Sequence, residues 1–76
     1  MRTLYRGLFT SLPQALLTIF KMMGEGLSVQ QIVSRTGLRA EIVYRRQYRL
    51  RVHFGVETNE ELLEVIHGMF DTRVTA

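Results

Sequence analysis

With 76 residues, the chain has room for one small domain with a thin stability margin. A hydrophobic content of 46% suits a folded protein, and the absence of cysteine excludes disulfides and thiolate metal sites. A net charge of +3 is too small to imply a polyanionic partner by itself, and Lys21, Glu25 and the glycines interrupt the longest apolar run well short of membrane-spanning length.

Arg2 and Arg6 are not followed by a clean apolar stretch and a small-residue cleavage site, so no signal peptide is read and the cytoplasm is the expected location. Pro13, the Gly24-Glu25-Gly26 step, Gly37 and Gly55 divide the chain into four helix-sized pieces, none with the alternating pattern of a strand. The predicted fold class is therefore all-α. Residues 1–11 are read as an N-terminal extension with room for an extra turn or helix, residues 12–70 as the domain, and residues 71–76 as a flexible tail.

The first helix is expected from about Leu12 to Met23, with Ser11 as a cap and Pro13 in the first turn, where a missing N–H does no harm. Leu12, Leu16, Ile19, Phe20 and Met23 follow helical spacing, and Gly24 or Gly26 supplies the stop. Ser28-Val-Gln-Gln31 forms a capping box for the second helix, which buries Ile32 and Val33 and ends at Gly37. The third helix spans about Ala40 to Phe54. Val43, Leu50 and Phe54 line its inner side with Gln47 between them. Helical rotation then places Glu41, Arg45, Tyr48, Arg49 and Val52 outward, with Tyr44 and Arg51 on one flank and Arg46 on the other. A second capping box, Thr58-Asn-Glu-Glu61, opens the fourth helix at about residues 58–70, with Leu62, Val65, Ile66 and Met69 as its core stripe. Leu63 and Phe70 widen that stripe. They either form a partner surface or cover Leu4, Leu8 and Phe9, two readings of equal weight.

Charge is segregated along the chain. Arg39, Arg45, Arg46, Arg49 and Arg51 share their stretch with Glu41 alone, whereas Glu57, Glu60, Glu61, Glu64 and Asp71 follow it. Two solvated helix faces would produce the same pattern, and on the distribution alone that reading is preferred to a polyanion-binding surface.

The helix pair at about 28–54, turning at Gly37-Leu38, has helix-turn-helix geometry. With Gly26-Leu27-Ser28 before its first helix, Ile32 within it, Val43 early in the next and Phe54-Gly55-Val56 at the end, the chain resembles the LuxR/GerE family of DNA-binding domains. A fourth helix from Glu60-Glu61-Leu62 extends the likeness from about Leu12 to Ile66 without gaps. The chain departs from the family where Arg39 stands for a capping serine, Ile42 for threonine, Arg46 for histidine, Arg49 for asparagine, His53 for a basic residue and Leu16 for an acid. In size the resemblance is to the stand-alone GerE type, which implies regulation through abundance, dimerisation or a partner protein.

The resemblance implies a four-helix LuxR/GerE-like domain whose third helix enters the major groove of double-stranded DNA. Its base-contacting positions fall on Tyr44, Arg45 and Tyr48, and helix geometry adds Arg49 on the same face. Arginine suits guanine because its planar fork bonds O6 and N7 together, a contact worth about 1–3 kcal/mol of discrimination. Arg45 is the first candidate and Arg49 the second. Arg39, Arg46 and Arg51 are candidates for phosphate, as are backbone N–H groups near Ser28 and Val29. The tyrosines are candidates for phosphate, sugar or thymine methyl, although Tyr44 is equally able to lie against the body of the domain. Family members dimerise through the fourth helix, which points to Leu63, His67 and Phe70.

Without cysteine, His53 and His67 are read as ordinary helix residues and not as a metal site, and no nucleophile–base or phosphate-loop pattern is read. No metal, cofactor or enzymatic activity is expected. The leading expectation is a homodimeric transcription regulator. The alternative is a degenerate helix-turn-helix that modulates another regulator or RNA polymerase by protein contact. Sequence-tolerant nucleic-acid binding, RNA included, is a third possibility.

Overall fold

A computed structural model describes residues 11–70, without the side chain of Phe70. The expectations for residues 1–10 and for the tail at 71–76 lie outside the described residues. Within them, the chain is a compact all-helical domain of four helices with no strand. The helices are α1 (Gln14–Gly24), α2 (Val29–Thr36), α3 (Ala40–Phe54) and α4 (Asn59–Phe70).

The start of α1 corrects one expectation. Pro13 is the cap residue, in an extended conformation at φ −60°, ψ 149°, and no side chain caps the helix. The helix therefore begins at Gln14, after Leu12 and Pro13. Pro13 contributes by accepting the N–H groups of Leu16 and Leu17 on its carbonyl. Ser11 is not a cap; its Oγ lies 3.4 Å from His53 Nε2 on α3. At the other end Gly26, not Gly24, takes the left-handed conformation, and Leu27 donates back to the Met22 carbonyl. Gly24 serves packing instead, because a Cβ there would stand 2.9 Å from Cγ2 of Ile66. Its missing side chain is what lets α1 and α4 approach.

The other helix starts follow the side-chain chemistry. Ser28 Oγ accepts the Gln31 N–H at 3.2 Å, and Gln31 Oε1 accepts the Ser28 N–H at 2.8 Å. The same reciprocal pair joins Thr58 and Glu61 at the head of α4, where Glu61 Oε1 also accepts the Glu57 N–H at 2.9 Å. These backbone donors, Glu57 first and Thr58 second, hold the Glu61 carboxyl below its ordinary pKa. Arg39 at the head of α3 provides no such bond.

The turn between α2 and α3 is built by Thr36 and Gly37. Thr36 Oγ1 donates to the Ile32 carbonyl at 2.7 Å and accepts the Leu38 N–H at 3.1 Å. Gly37 stands at φ +75°, where a side chain is disfavoured, and its N–H closes on Val33.

The core takes Leu16, Ile19, Phe20 and Met23 from α1 and Ile32 from α2. Val43, Leu50 and Phe54 of α3 and Leu62, Val65 and Ile66 of α4 complete it. Phe20 and Phe54 stack with ring centroids 5.5 Å apart. Val33 and Met69, expected inside, are only half-buried and pack at its edge. Helices α1, α2 and α4 all pack against α3. The core thus fixes one face of α3 and leaves the opposite one uncovered.

Candidate nucleic-acid interface

The exposed face of α3 follows from its buried one. Val43, Gln47, Leu50 and Phe54 are buried at intervals of three and four residues, so the residues half a turn away point outward. Arg45 and Arg49 are exposed, and Tyr44 and Tyr48 each retain 58% of their surface. That exposure decides between the two readings of Tyr44: it stands in solvent and does not lie against the domain. Val52, 61% exposed, continues the Tyr44–Tyr48 line one turn further. Tyr44, Arg45, Tyr48 and Arg49 therefore share one surface on a single rigid helix.

Its electrostatics are simple. Glu41 is the one acid on α3 and sits in the first turn, where it favours the helix dipole. Among the described residues the one ion pair joins Arg35 and Glu25, 3.9 Å apart and exposed, away from α3. No described acid neutralises Arg39, Arg45, Arg46 or Arg49, and no hydrogen bond ties down their side chains. Such unpaired guanidinium groups keep their forked donors available to an anionic partner.

The remaining candidates are placed differently. Arg39 is exposed at the head of α3, beside the α2–α3 turn. Arg46 is half-buried and lines an open groove with Pro13 and Leu16 of the α1 side and Tyr48, Arg49 and Val52 of α3. The capping box engages Ser28 itself, so the first-turn N–H groups it leaves over belong to Val29 and Gln30. Arg51 is half-buried and tied into the fold. Its Nη1 donates to Asn59 Oδ1 on α4, and its guanidinium carbon lies 5.7 Å from the centroid of the Tyr48 ring. Asn59 in turn donates from Nδ2 to Oε1 of the buried Gln47 at 3.4 Å.

In the sequence, Asn59 has no evident role beyond its place in a capping box. Nothing in the spacing of Gln47, Arg51 and Asn59 announces their contact, because it depends on how the chain turns at Gly55 to bring α4 back against α3. On α4, Leu63 is half-buried against the core and His67 is exposed, while the Phe70 side chain lies outside the described residues.

The described residues contain no group of three or more histidines, cysteines or acids able to hold a metal. Among them, no helix is long and apolar enough to cross a membrane. Compared with family models, curated proteins and solved structures, the chain finds no match.

Proposed function

We propose that this protein is a small DNA-binding transcription regulator of LuxR/GerE-like architecture that inserts α3 into the major groove. The observation that carries the reading is the outward face of α3, where Arg45 and Arg49 stand unpaired beside two exposed tyrosines. A helix of this width fits the major groove, and an arginine fork matches the O6 and N7 acceptors of guanine. Arg45 and Arg49 are assigned to base edges, and Arg39 and Arg46 to phosphates, which fix register without reading sequence. A homodimer formed through α4, using Leu63, His67 and Phe70, would read an inverted repeat with half-sites about one helical turn apart. The cytoplasm is the corresponding location.

The test is an in vitro selection of duplex DNA by the full chain, followed by affinity measurements on the selected site. The expected outcome is an inverted-repeat site, to which the R45A/R49A double variant binds at least about tenfold more weakly. Equal affinity of the two proteins for that site would overturn the assignment.

A second reading rests on a different observation: Tyr44, Tyr48 and Val52 form an exposed line at four-residue spacing. Such a line is also how a helix anchors into an apolar protein groove, and it suits a helix-turn-helix that modulates another regulator or RNA polymerase. A stoichiometric complex with such a partner, together with no DNA binding at low salt, would favour it over the first.

A further inference from the structure

The arginines of α3 are not equivalent. Arg45 and Arg49 extend from the helix without a partner, whereas Arg51 is the middle of a chain of contacts that begins in the core. Gln47 is buried, with 4% of its surface exposed, and its side-chain oxygen accepts Asn59 Nδ2 at 3.4 Å. Asn59, the first residue of α4, accepts a hydrogen bond from Arg51 Nη1 through Oδ1. Arg51 then lies 5.7 Å from the centre of the Tyr48 ring, within cation–π range. No buried side-chain nitrogen or oxygen of the described residues is left without a partner, and the Gln47 side-chain oxygen finds its partner in Asn59. Because an amide accepts and donates at different atoms, Asn59 can bridge a guanidinium and a glutamine oxygen simultaneously.

From this we infer that Arg51 and Asn59 are positioning residues that hold the Tyr48 ring as a preset, specificity-determining contact for DNA. The inference rests on the DNA reading above and changes the part Arg51 plays in it. A phosphate-binding arginine contributes charge, which a lysine also supplies. A positioning arginine contributes a flat fork that bonds Asn59 while facing the ring, and lysine lacks that fork. Tyr48 is 58% exposed, so without Arg51 its ring is free to change rotamer in solvent. Held, it offers a fixed apolar face to a thymine methyl. The entropy of ordering that side chain is then met during folding and not during binding. Asn59 reaches the interface only through Arg51, so its substitution separates positioning from direct contact.

The experiment measures the affinity of the full chain, as wild type, R51K, N59A and N59D, for its selected duplex and for a scrambled duplex over a range of salt concentrations. Side-chain NMR of each protein without DNA reports the ring-current shift of the Arg51 methylene protons. R51K and N59A are expected to lower the selected-to-scrambled ratio about twofold to fivefold, the factor to which an exposed cation–π contact converts. Their salt slopes should match the wild type, because no phosphate contact is removed. N59D keeps the acceptor for Arg51 and, with the Gln47 amide turned to donate its Nε2 to the carboxylate, is expected to retain both the ratio and, in the free protein, the ring-current shift. N59A is expected to lose that shift in the free protein.

A wild-type ratio retained by both R51K and N59A would overturn the positioning role, as would a salt slope reduced by about one in R51A, measured alongside them on the same two duplexes. Loss of the ratio in N59D with the ring-current shift intact would also overturn it. A wild-type chain that binds both duplexes equally would instead overturn the DNA reading, and the specificity role of Tyr48 with it.

Discussion

The inward face of α3 presents Val43, Gln47, Leu50 and Phe54 to the core, whereas its outward face presents Tyr44, Arg45, Tyr48, Arg49 and Val52 to solvent. Removing an inward side chain leaves a cavity at the place where α1, α2 and α4 converge. Removing an outward arginine leaves only water in its place. One helix thus carries two nearly independent sets of residues, one answering to stability and the other to recognition. Arg51 is the exception, since it is half-buried and bonded to α4.

The largest expected effect breaks the inward set. Phe54→Ala removes the ring that stacks on Phe20 and should cost about 3–5 kcal/mol, a large share of the stability of so small a domain. Urea unfolding followed by circular dichroism checks it. The R45A/R49A variant provides the opposite case, with weakened DNA binding and unfolding free energy within about 0.5 kcal/mol of wild type, as exposed and unpaired side chains imply.

Smaller effects sharpen the division at the helix heads. Ser28→Ala breaks a formed capping box and should cost about 1 kcal/mol, while Arg39→Ser gives α3 a cap it lacks and should stabilise by a comparable amount. If Arg39 binds phosphate, the stabilised variant should also bind DNA less tightly, with a salt slope lower by about one. Thermal melts and binding isotherms on the same preparations would show whether the two properties move in opposite directions.

The smallest effect concerns pH. Backbone N–H groups of Glu57 and Thr58 lower the Glu61 pKa in the folded chain below its ordinary value of 4.5. The charged carboxylate therefore stabilises the fold fully above that value, and its contribution is lost as pH falls through the lower, folded-state value. Glu61→Gln should lower Tm slightly at pH 7 and show a shallower decline between pH 5 and pH 3, measured by thermal melts across that range. An unchanged decline would show that Glu61 does not contribute to it.

Local chemistry and helical period account for the parts of the fold that the sequence reveals. The heads of α2 and α4 were legible because a Ser or Thr followed three residues later by Gln or Glu closes its hydrogen bonds locally. The inward face of α3 was legible because period alone assigns it. The start of α1 is not legible, because Pro13 suits both the first helical position and the extended residue before it. Gly24 was ambiguous for a related reason: glycine answers equally to a left-handed stop and to the close approach of another helix. Tyr44 lay on a flank where helical rotation does not decide between solvent and contact. The Gln47–Asn59–Arg51 chain was not legible, since it joins two helices across a turn whose path no local rule specifies.

The most direct test of the outward face is an NMR titration of the labelled wild-type chain with its selected duplex. If α3 is the reading helix, the largest perturbations fall on Tyr44, Arg45, Tyr48 and Arg49, including the arginine side-chain resonances. The exposed residues Glu60 and Glu64 of α4 should shift little. Perturbations confined to α4, or none at a duplex concentration that saturates binding, would contradict the account.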